Sequence, residues 1–293
     1  MAPPIANPAI PATARQREQS GWRWAYAFAV ASARTLIDLL YRLYERRLER
    51  EVHAAGRGPE HIALILDGNR RHGEQAGLLD PSAIYTLGAS KLDEVLDWCA
   101  ALRVPAVTLW VLSTDNFGRP SEQVSGILQA ISGKLTALAV DPQIHSRRVR
   151  IQAIGRLDML PPETRGAIEA AQQATAAYDG MVLTIAVAYG GRAEIVDAVR
   201  ALLEDCSRRG INLQQAITRV DAEAISRHLY MAGMRDPDLI IRTSGEVRLS
   251  GFLLWQSAYS EFYFSDVYWP AFRRIDLLRA IRAYQQRRRR FGG

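Results

Sequence analysis

Between residues 60 and 290 the chain repeats one pattern: a short apolar run, then a longer stretch whose apolar residues recur at helical spacing. The runs are Ile62–Leu66, Val107–Leu112, Val149–Ile154, Val182–Ala188, Leu239–Ile241 and Phe262–Val267, and the helical stretches fall near residues 83–102, 121–140, 162–177, 192–208, 221–231 and 274–288. Strands apolar on both sides need cover on both faces, a condition that repeated βαβ units meet. No Gly/Ser or proline linker divides residues 60 to 290. The expected architecture is therefore α/β, a single domain with a central, mainly parallel six-stranded sheet flanked by helices. A chain of 293 residues with 48% hydrophobic content supports a core of that size.

In open parallel sheets ligands bind just beyond the carboxyl ends of strands, so the residues after each run carry the functional information. The first run ends Leu66-Asp67-Gly68-Asn69-Arg70-Arg71-His72. A carboxylate, a flexible glycine, an amide and two arginines suggest a metal beside a phosphate. Read alone, Asp-Gly-Asn serves equally well as a turn whose residues tolerate positive φ. The second run ends Val111-Leu112-Ser113-Thr114-Asp115-Asn116-Phe117-Gly118-Arg119-Pro120, and the fifth continues Arg242-Thr243-Ser244-Gly245-Glu246-Val247-Arg248-Leu249-Ser250. Arg242 and Arg248 flank a turn that Gly245 can tighten, and two such planar, permanently charged forks can converge on one diphosphate.

The amino-terminal part reads differently. Residues 1–20 carry four prolines before Gln16 and no apolar periodicity, as expected of a disordered leader. Residues 21–55 form an expected amphipathic helical extension in which aromatic and aliphatic residues alternate with arginines from Trp22 to Leu48. That pattern suits a helix that either packs on the core or touches a membrane surface peripherally. It does not span a membrane, because the unbroken apolar stretch is only Trp24 to Ala31. No compact apolar core with a small-residue cleavage pattern marks a signal peptide. The catalytic domain is expected over residues 56–293. Cys99 and Cys206 match neither a disulfide framework nor a metal spacing, which points to a reducing, cytoplasmic compartment. The formal charge of +6 suits several anionic partners, and the placement of the arginines at strand ends argues against nucleic acid.

Four segments carry a resemblance to a known family: His61–Arg71, Ser113–Pro120, Ala188-Tyr189-Gly190-Gly191-Arg192-Ala193-Glu194-Ile195, and Asp236–Phe272 with its Leu253-Leu254-Trp255-Gln256-Ser257-Ala258-Tyr259-Ser260-Glu261. Together they resemble the cis-prenyltransferases, the family of undecaprenyl diphosphate synthase. The similarity is greatest to the short-chain members that make Z-configured farnesyl diphosphate, and the lead-in Leu40-Tyr41-Arg42-Leu43-Tyr44-Glu45 belongs to it. It spans roughly residues 40 to 293.

The resemblance implies condensation of isopentenyl diphosphate with an allylic diphosphate, leaving a Z double bond and releasing pyrophosphate, with Mg²⁺ as cofactor. It places Asp67 on the metal, with Gly68, Asn69, Arg70, Arg71 and His72 around the allylic diphosphate and Arg119 completing that site. Arg242, Arg248, Leu249 and Ser250 then hold isopentenyl diphosphate, and Glu261 is a second carboxylate near the metal. Ser113, Thr114, Asp115 and Phe117 line the substrates, and Asn116 is the partner in proton loss. Leu87 and Val111 stand where long-chain relatives carry small residues, which implies a product of about fifteen carbons because close-packed walls absorb little extra volume. A homodimer is also implied. No aspartate-rich DDxxD segment of the trans-prenyltransferase kind occurs.

The sequence departs from the family pattern at His72, Phe117, Val247, Arg70 and Tyr85, where tryptophan, tryptophan, glutamine, glycine and histidine are usual in turn, the last two in long-chain members. Three other readings compete: a longer-chain synthase, an irregular head-to-middle prenyl synthase, and a non-catalytic partner subunit. The arginines of the isopentenyl site favour regular elongation, and Asp67 with Arg71 argues against the non-catalytic subunit.

Overall fold

A computed structural model of the chain describes residues 40–287. The expected leader, most of the amphipathic extension and the arginines at 288–290 lie outside them. The chain divides into two compact units, Met1–Glu51 and Val52–Gly293. In the first, the described residues 40–51 are helical, part of a helix, α1, over residues 40–54, and within it Arg47 pairs with Glu51 at 2.9 Å. Among the described residues no helix is long and apolar enough to cross a membrane.

The second unit carries all six predicted strands: β1 (His61–Ile65), β2 (Ala106–Trp110), β3 (Arg150–Ile154), β4 (Val182–Ala186), β5 (Leu239–Arg242) and β6 (Glu261–Phe264). They form one sheet in the order β3-β4-β2-β1-β5-β6, and every pairing is parallel. All of β1 and β5 is buried, as double cover requires, whereas the edge strand β6 is half-buried throughout. Each fully buried Ile or Leu contributes roughly 1.5–3 kcal/mol. His61 is the polar exception in β1: its Nδ1 donates to the Arg235 carbonyl at 2.7 Å and its Nε2 accepts from the Thr108 hydroxyl at 2.8 Å. Burial lowers its pKa, so the ring is neutral and both nitrogens are satisfied.

The helices are α2 (Asn69–Gln75), α3 (Pro81–Ala101), α4 (Ser121–Leu138), α5 (Pro142–Ser146), α6 (Pro162–Thr175), α7 (Gly191–Arg208), α8 (Leu213–Ile217), α9 (Ala222–Ser226) and α10 (Arg274–Gln286). Asp80 starts α3 by accepting from the backbone of Ser82 and Ala83, with Pro81 in the first turn. The helix expected over 221–231 stops at Ser226: the His228 ring donates to the Ala224 carbonyl at 2.8 Å while the His228 N–H turns to the Ile225 carbonyl, and further on the Tyr230 N–H goes to the buried Glu194 carboxylate at 3.0 Å. From β1 the chain crosses to β2 on one side, and β5 and β6 return to the other side. This makes the carboxyl end of β1 the switch point of the sheet, the place where a ligand crevice is expected.

Candidate active site

The strand register sets the site. Ile65 of β1 lies beside Trp110 of β2 and Arg242 of β5, so the turns after these strands meet. The Thr243 hydroxyl stitches two of them together: it accepts from the Asp67 N–H at 2.9 Å and lies 2.7 Å from the Asp67 carbonyl. Gly68 has φ 99°, and a Cβ there would sit 2.6 Å from the Tyr268 ring and 3.1 Å from Ser244, so both conformation and space require glycine.

The Asp67 carboxylate accepts from Arg242 Nη2 at 2.8 Å and faces Arg71 Nη2 at 3.4 Å. Burial alone would raise its pKa; the hydrogen bond and charge of Arg242, with help from Ser244 and the Gly68 N–H, outweigh that and hold it below the ordinary value. Arg71 also donates to Ser244 Oγ at 2.9 Å, approaches Glu246 at 3.5 Å and lies over the Tyr268 ring at 5.4 Å. Arg242 is 5% exposed, donates through Nη1 to the Arg248 carbonyl and to Ser250 Oγ, and leaves its buried Nε without a partner. Arg248 pairs with Glu246 while its side chain stays 61% exposed. Ser244, Ser250 and Leu253 adopt positive φ without being glycine, backbone strain concentrated in the arginine-bearing loop.

After β2, Ser113 and Asn116 cap one short turn reciprocally: Ser113 Oγ accepts from the Asn116 N–H and Asn116 Oδ1 from the Ser113 N–H, both at 3.1 Å. Asn116 also lines the cavity at this site. Asn69 donates to the Leu66 carbonyl at 3.0 Å, and its Oδ1 is buried without a partner. Gly88 of α3 makes room for that amide, since a Cβ there would fall 2.1 Å from Asn69 Oδ1.

These groups surround a polar cavity of about 790 Å³ that gathers Asp67, Gly68, Asn69, Arg70, Arg71, Val111, Ser113, Asp115, Asn116, Arg119, Arg242, Arg248 and Ser250. An apolar pocket of about 70 Å³ adjoins it between α3 and α4, and the two share Leu66, Asn69, Tyr85, Val111 and Ile127. A cavity of about 830 Å³ with Arg57, Arg103 and Arg235 lies at the amino ends of β1, β2 and β5, but there Glu60 and Asp238 already engage Arg235.

Several sequence expectations fall elsewhere. Glu261 opens β6 and aligns with Leu239, three residues before Arg242, so parallel register puts it at the far end of the strands from Asp67; it pairs with Arg287 instead. Leu87 is 41% exposed on the outer face of α3, while Tyr85, Gly88, Ala89 and Leu92, one helical stripe, face the pocket. His72 packs edge-on against Tyr268. Thr114 abuts Gly190, Phe117 lines a separate groove, and Leu249 packs on the core around Phe252. Ser244, Glu246, Tyr268 and Tyr85 were not singled out from sequence as site residues; helical spacing could have found Tyr85, and only tertiary contact reveals the other three.

A family model described as "Putative undecaprenyl diphosphate synthase" matches residues 65–292. A (2Z,6E)-farnesyl diphosphate synthase of Thermobifida fusca is 49% identical over 253 residues, covering 86% of this chain and 97% of its own. A tritrans,polycis-undecaprenyl-diphosphate synthase (geranylgeranyl-diphosphate specific) of Methanopyrus kandleri is 48% identical over 261 residues, covering 89% of this chain and 94% of its own. Among solved structures, lavandulyl diphosphate synthase from Lavandula x intermedia in complex with dimethylallyl diphosphate superposes with a TM-score of 0.73 at 31% identity, covering 80% of this chain and 99% of that one.

Proposed function

This chain belongs to the undecaprenyl diphosphate synthase family, the cis-prenyltransferases, and we propose that it joins isopentenyl diphosphate to an allylic diphosphate to give a short Z-configured isoprenyl diphosphate. One observation carries the reading: Asp67, Arg71 and Arg242 line a polar cavity that shares a wall with an apolar pocket. Charged heads and a hydrocarbon tail are thus accommodated in adjoining spaces.

In this reading Asn69, Arg71 and Arg119 hold the allylic diphosphate, and Arg242, Arg248 and Ser250 hold that of isopentenyl diphosphate. The double bond of the latter attacks the allylic carbon, the carbon–oxygen bond breaks, and pyrophosphate leaves with the electron pair. Loss of a proton beside the Ser113 and Asn116 turn forms the new double bond. Arginine forks stabilise the charge that grows on the leaving group. Among the described residues no group of three or more His, Cys, Asp or Glu gathers as a metal cage. One ionised carboxylate beside substrate phosphates is nonetheless a donor set that suits Mg²⁺, which keeps several waters and uses few protein ligands. Asp67 would hold the ion, which would supply Lewis-acid neutralisation of the departing diphosphate. Diphosphates entering the cavity would draw Arg71 and Arg242 away from Asp67 and so free its oxygens for the cation.

Relatives of nearly equal identity carry names for products of different length, so identity does not choose the length here. The narrowness of the pocket, about 70 Å³, and its close-packed walls favour the short-product reading of about fifteen carbons. The half-buried edge strand β6, with Phe262, Tyr263 and Phe264, supports a homodimer joined along that edge. Trp269, by contrast, is core, donating to the Gly88 carbonyl at 2.7 Å. Purified protein given isopentenyl diphosphate, a series of allylic diphosphates and Mg²⁺ should release pyrophosphate and a short prenyl diphosphate, and chelation should stop it. No turnover with any allylic partner would overturn the reading.

A further inference from the structure

The apolar pocket has an unusual far end. Its lining is aliphatic, aromatic or small except for the amide of Asn69 at its mouth and one charged residue, Lys134. Ile127, Ile131 and Lys134 form one row along α4, and Ile127 also lines the polar cavity, so the row runs inward from the shared mouth. At about 1.5 Å per residue, Lys134 lies roughly 10 Å further along the helix than Ile127.

Bulk does not fill the space between. The residues facing one another across the pocket include Gly88 and Ala89 on α3 and Ala130 on α4. At the far end Lys134 and Leu135 of α4 line the pocket with Leu92 of α3, and Lys134 Nζ donates to Asp93 Oδ1, next to Leu92. The Lys134 side chain is 15% exposed and that of Asp93 is 53% exposed, so the methylene stem walls the pocket while the charges sit at the border with water.

We propose that the Lys134–Asp93 pair is the distal stop of the hydrocarbon pocket and a determinant of product length, a proposal that rests on the prenyl-transfer reading above. A chain growing down the pocket meets an ammonium held by a carboxylate on the opposing helix. To pass, it must separate that pair or press apolar carbons against a charge deprived of its partner, and both are unfavourable. The stop is therefore polar as well as steric. It also ties α3 to α4 where the pocket would otherwise widen.

The test measures product lengths from isopentenyl diphosphate and an allylic diphosphate. Lys134→Met keeps the length of the stem and removes the charge. It should raise the ratio of the next-longer product to the wild-type product by about tenfold, as expected when a competing elongation barrier falls by about 1.4 kcal/mol. Asp93→Asn, which unties the lysine, should shift the distribution in the same direction and serves if Lys134→Met folds poorly. Lys134→Arg and Glu94→Gln, the latter cutting the neighbouring Lys91–Glu94 pair outside the pocket, should keep the wild-type distribution. Folded, active Lys134→Met and Asp93→Asn proteins with unchanged products would overturn the stop while leaving prenyl transfer standing. Equal lengthening in Glu94→Gln would also overturn it, by showing general loosening of the helix pair. A wild-type protein that makes no prenyl diphosphate would remove the reading on which the stop rests.

Discussion

Arg242 Nη2 lies 2.8 Å from Asp67 Oδ2 although 175 residues separate them in the chain. The contact follows from parallel pairing of β1 with β5, which sets Ile65 beside Arg242 and leaves Asp67 just beyond. It joins two segments that the family resemblance assigns to different substrates. Glu246 does the same from the other side, facing both Arg71 and Arg248. If the arginines bind diphosphates as proposed, substrate must displace these carboxylates from the arginine forks.

Asp67→Asn should therefore abolish turnover and also cost stability. The amide can still accept from Arg242 but leaves a guanidinium that is 5% exposed facing a neutral group. Losing a charge-assisted hydrogen bond of this kind costs roughly 1.5–3 kcal/mol, and partial exposure of Asp67 keeps the loss toward the lower end. Urea unfolding and pyrophosphate release measure the two effects. Wild-type turnover with Mg²⁺ would remove Asp67 from the chemistry.

The two arginines of the loop should separate binding from folding. Arg248 is mostly exposed, so Arg248→Ala should raise the KM for isopentenyl diphosphate by about tenfold or more, with stability within about 0.5 kcal/mol of wild type. Arg242→Ala should show the same KM defect together with a clear loss of stability, because it strips Asp67, Ser250 and the Arg248 carbonyl of their shared donor. A defect confined to the allylic substrate would show the two diphosphate sites to be reversed.

His61 predicts a pH effect remote from the chemistry. Burial lowers its pKa below the ordinary value near 6.5, so between the two values the unfolded chain binds the extra proton. The contribution is complete above about pH 6.5 and is lost as pH falls toward the folded-state pKa. Melting temperature should decline from pH 7 to pH 5.5 in the wild type and less steeply in His61→Gln, which starts lower because a buried bridge between Arg235 and Thr108 is gone. Parallel slopes would show that another group titrates.

Much of this was legible in the sequence, for reasons that particular residues make plain. Ile62–Leu66 and Leu239–Ile241 have no polar residue, and such runs become central strands. The Asp-Gly-Asn turn and the Arg242 loop stood at strand ends, where the structure joins them. Glu261 was misplaced because similarity of sequence says nothing of strand register, which sets it opposite Leu239. Leu87 was misplaced by one residue on a helix, enough to rotate a side chain to the outer face. The early stop of α9 was not legible, since the His228 ring takes the Ala224 carbonyl and a carboxylate 36 residues earlier takes the Tyr230 N–H.

Val111 carries the last prediction, which concerns the mouth of the hydrocarbon pocket and not its far end. It follows β2, is held by its N–H to the Ala186 carbonyl at 3.1 Å, and lines both the polar cavity and the apolar pocket. Burying each further five-carbon unit gains about 4 kcal/mol at about 0.8 kcal/mol per carbon, so elongation stops only where packing opposes it. Val111→Ala removes two methyl groups from the wall that the two cavities share, which Tyr85 and Ile127 also line. It should lengthen the product by at least one unit, with little change in the KM for either diphosphate, because no phosphate-facing side chain is altered. Leu87→Ala changes an exposed side chain on the other face of α3 and should leave the product unchanged. Chromatographic sizing of dephosphorylated products compares the two directly. If Leu87→Ala lengthens the chain and Val111→Ala does not, the hydrocarbon runs along the outer face of α3 and the pocket between α3 and α4 is not its path.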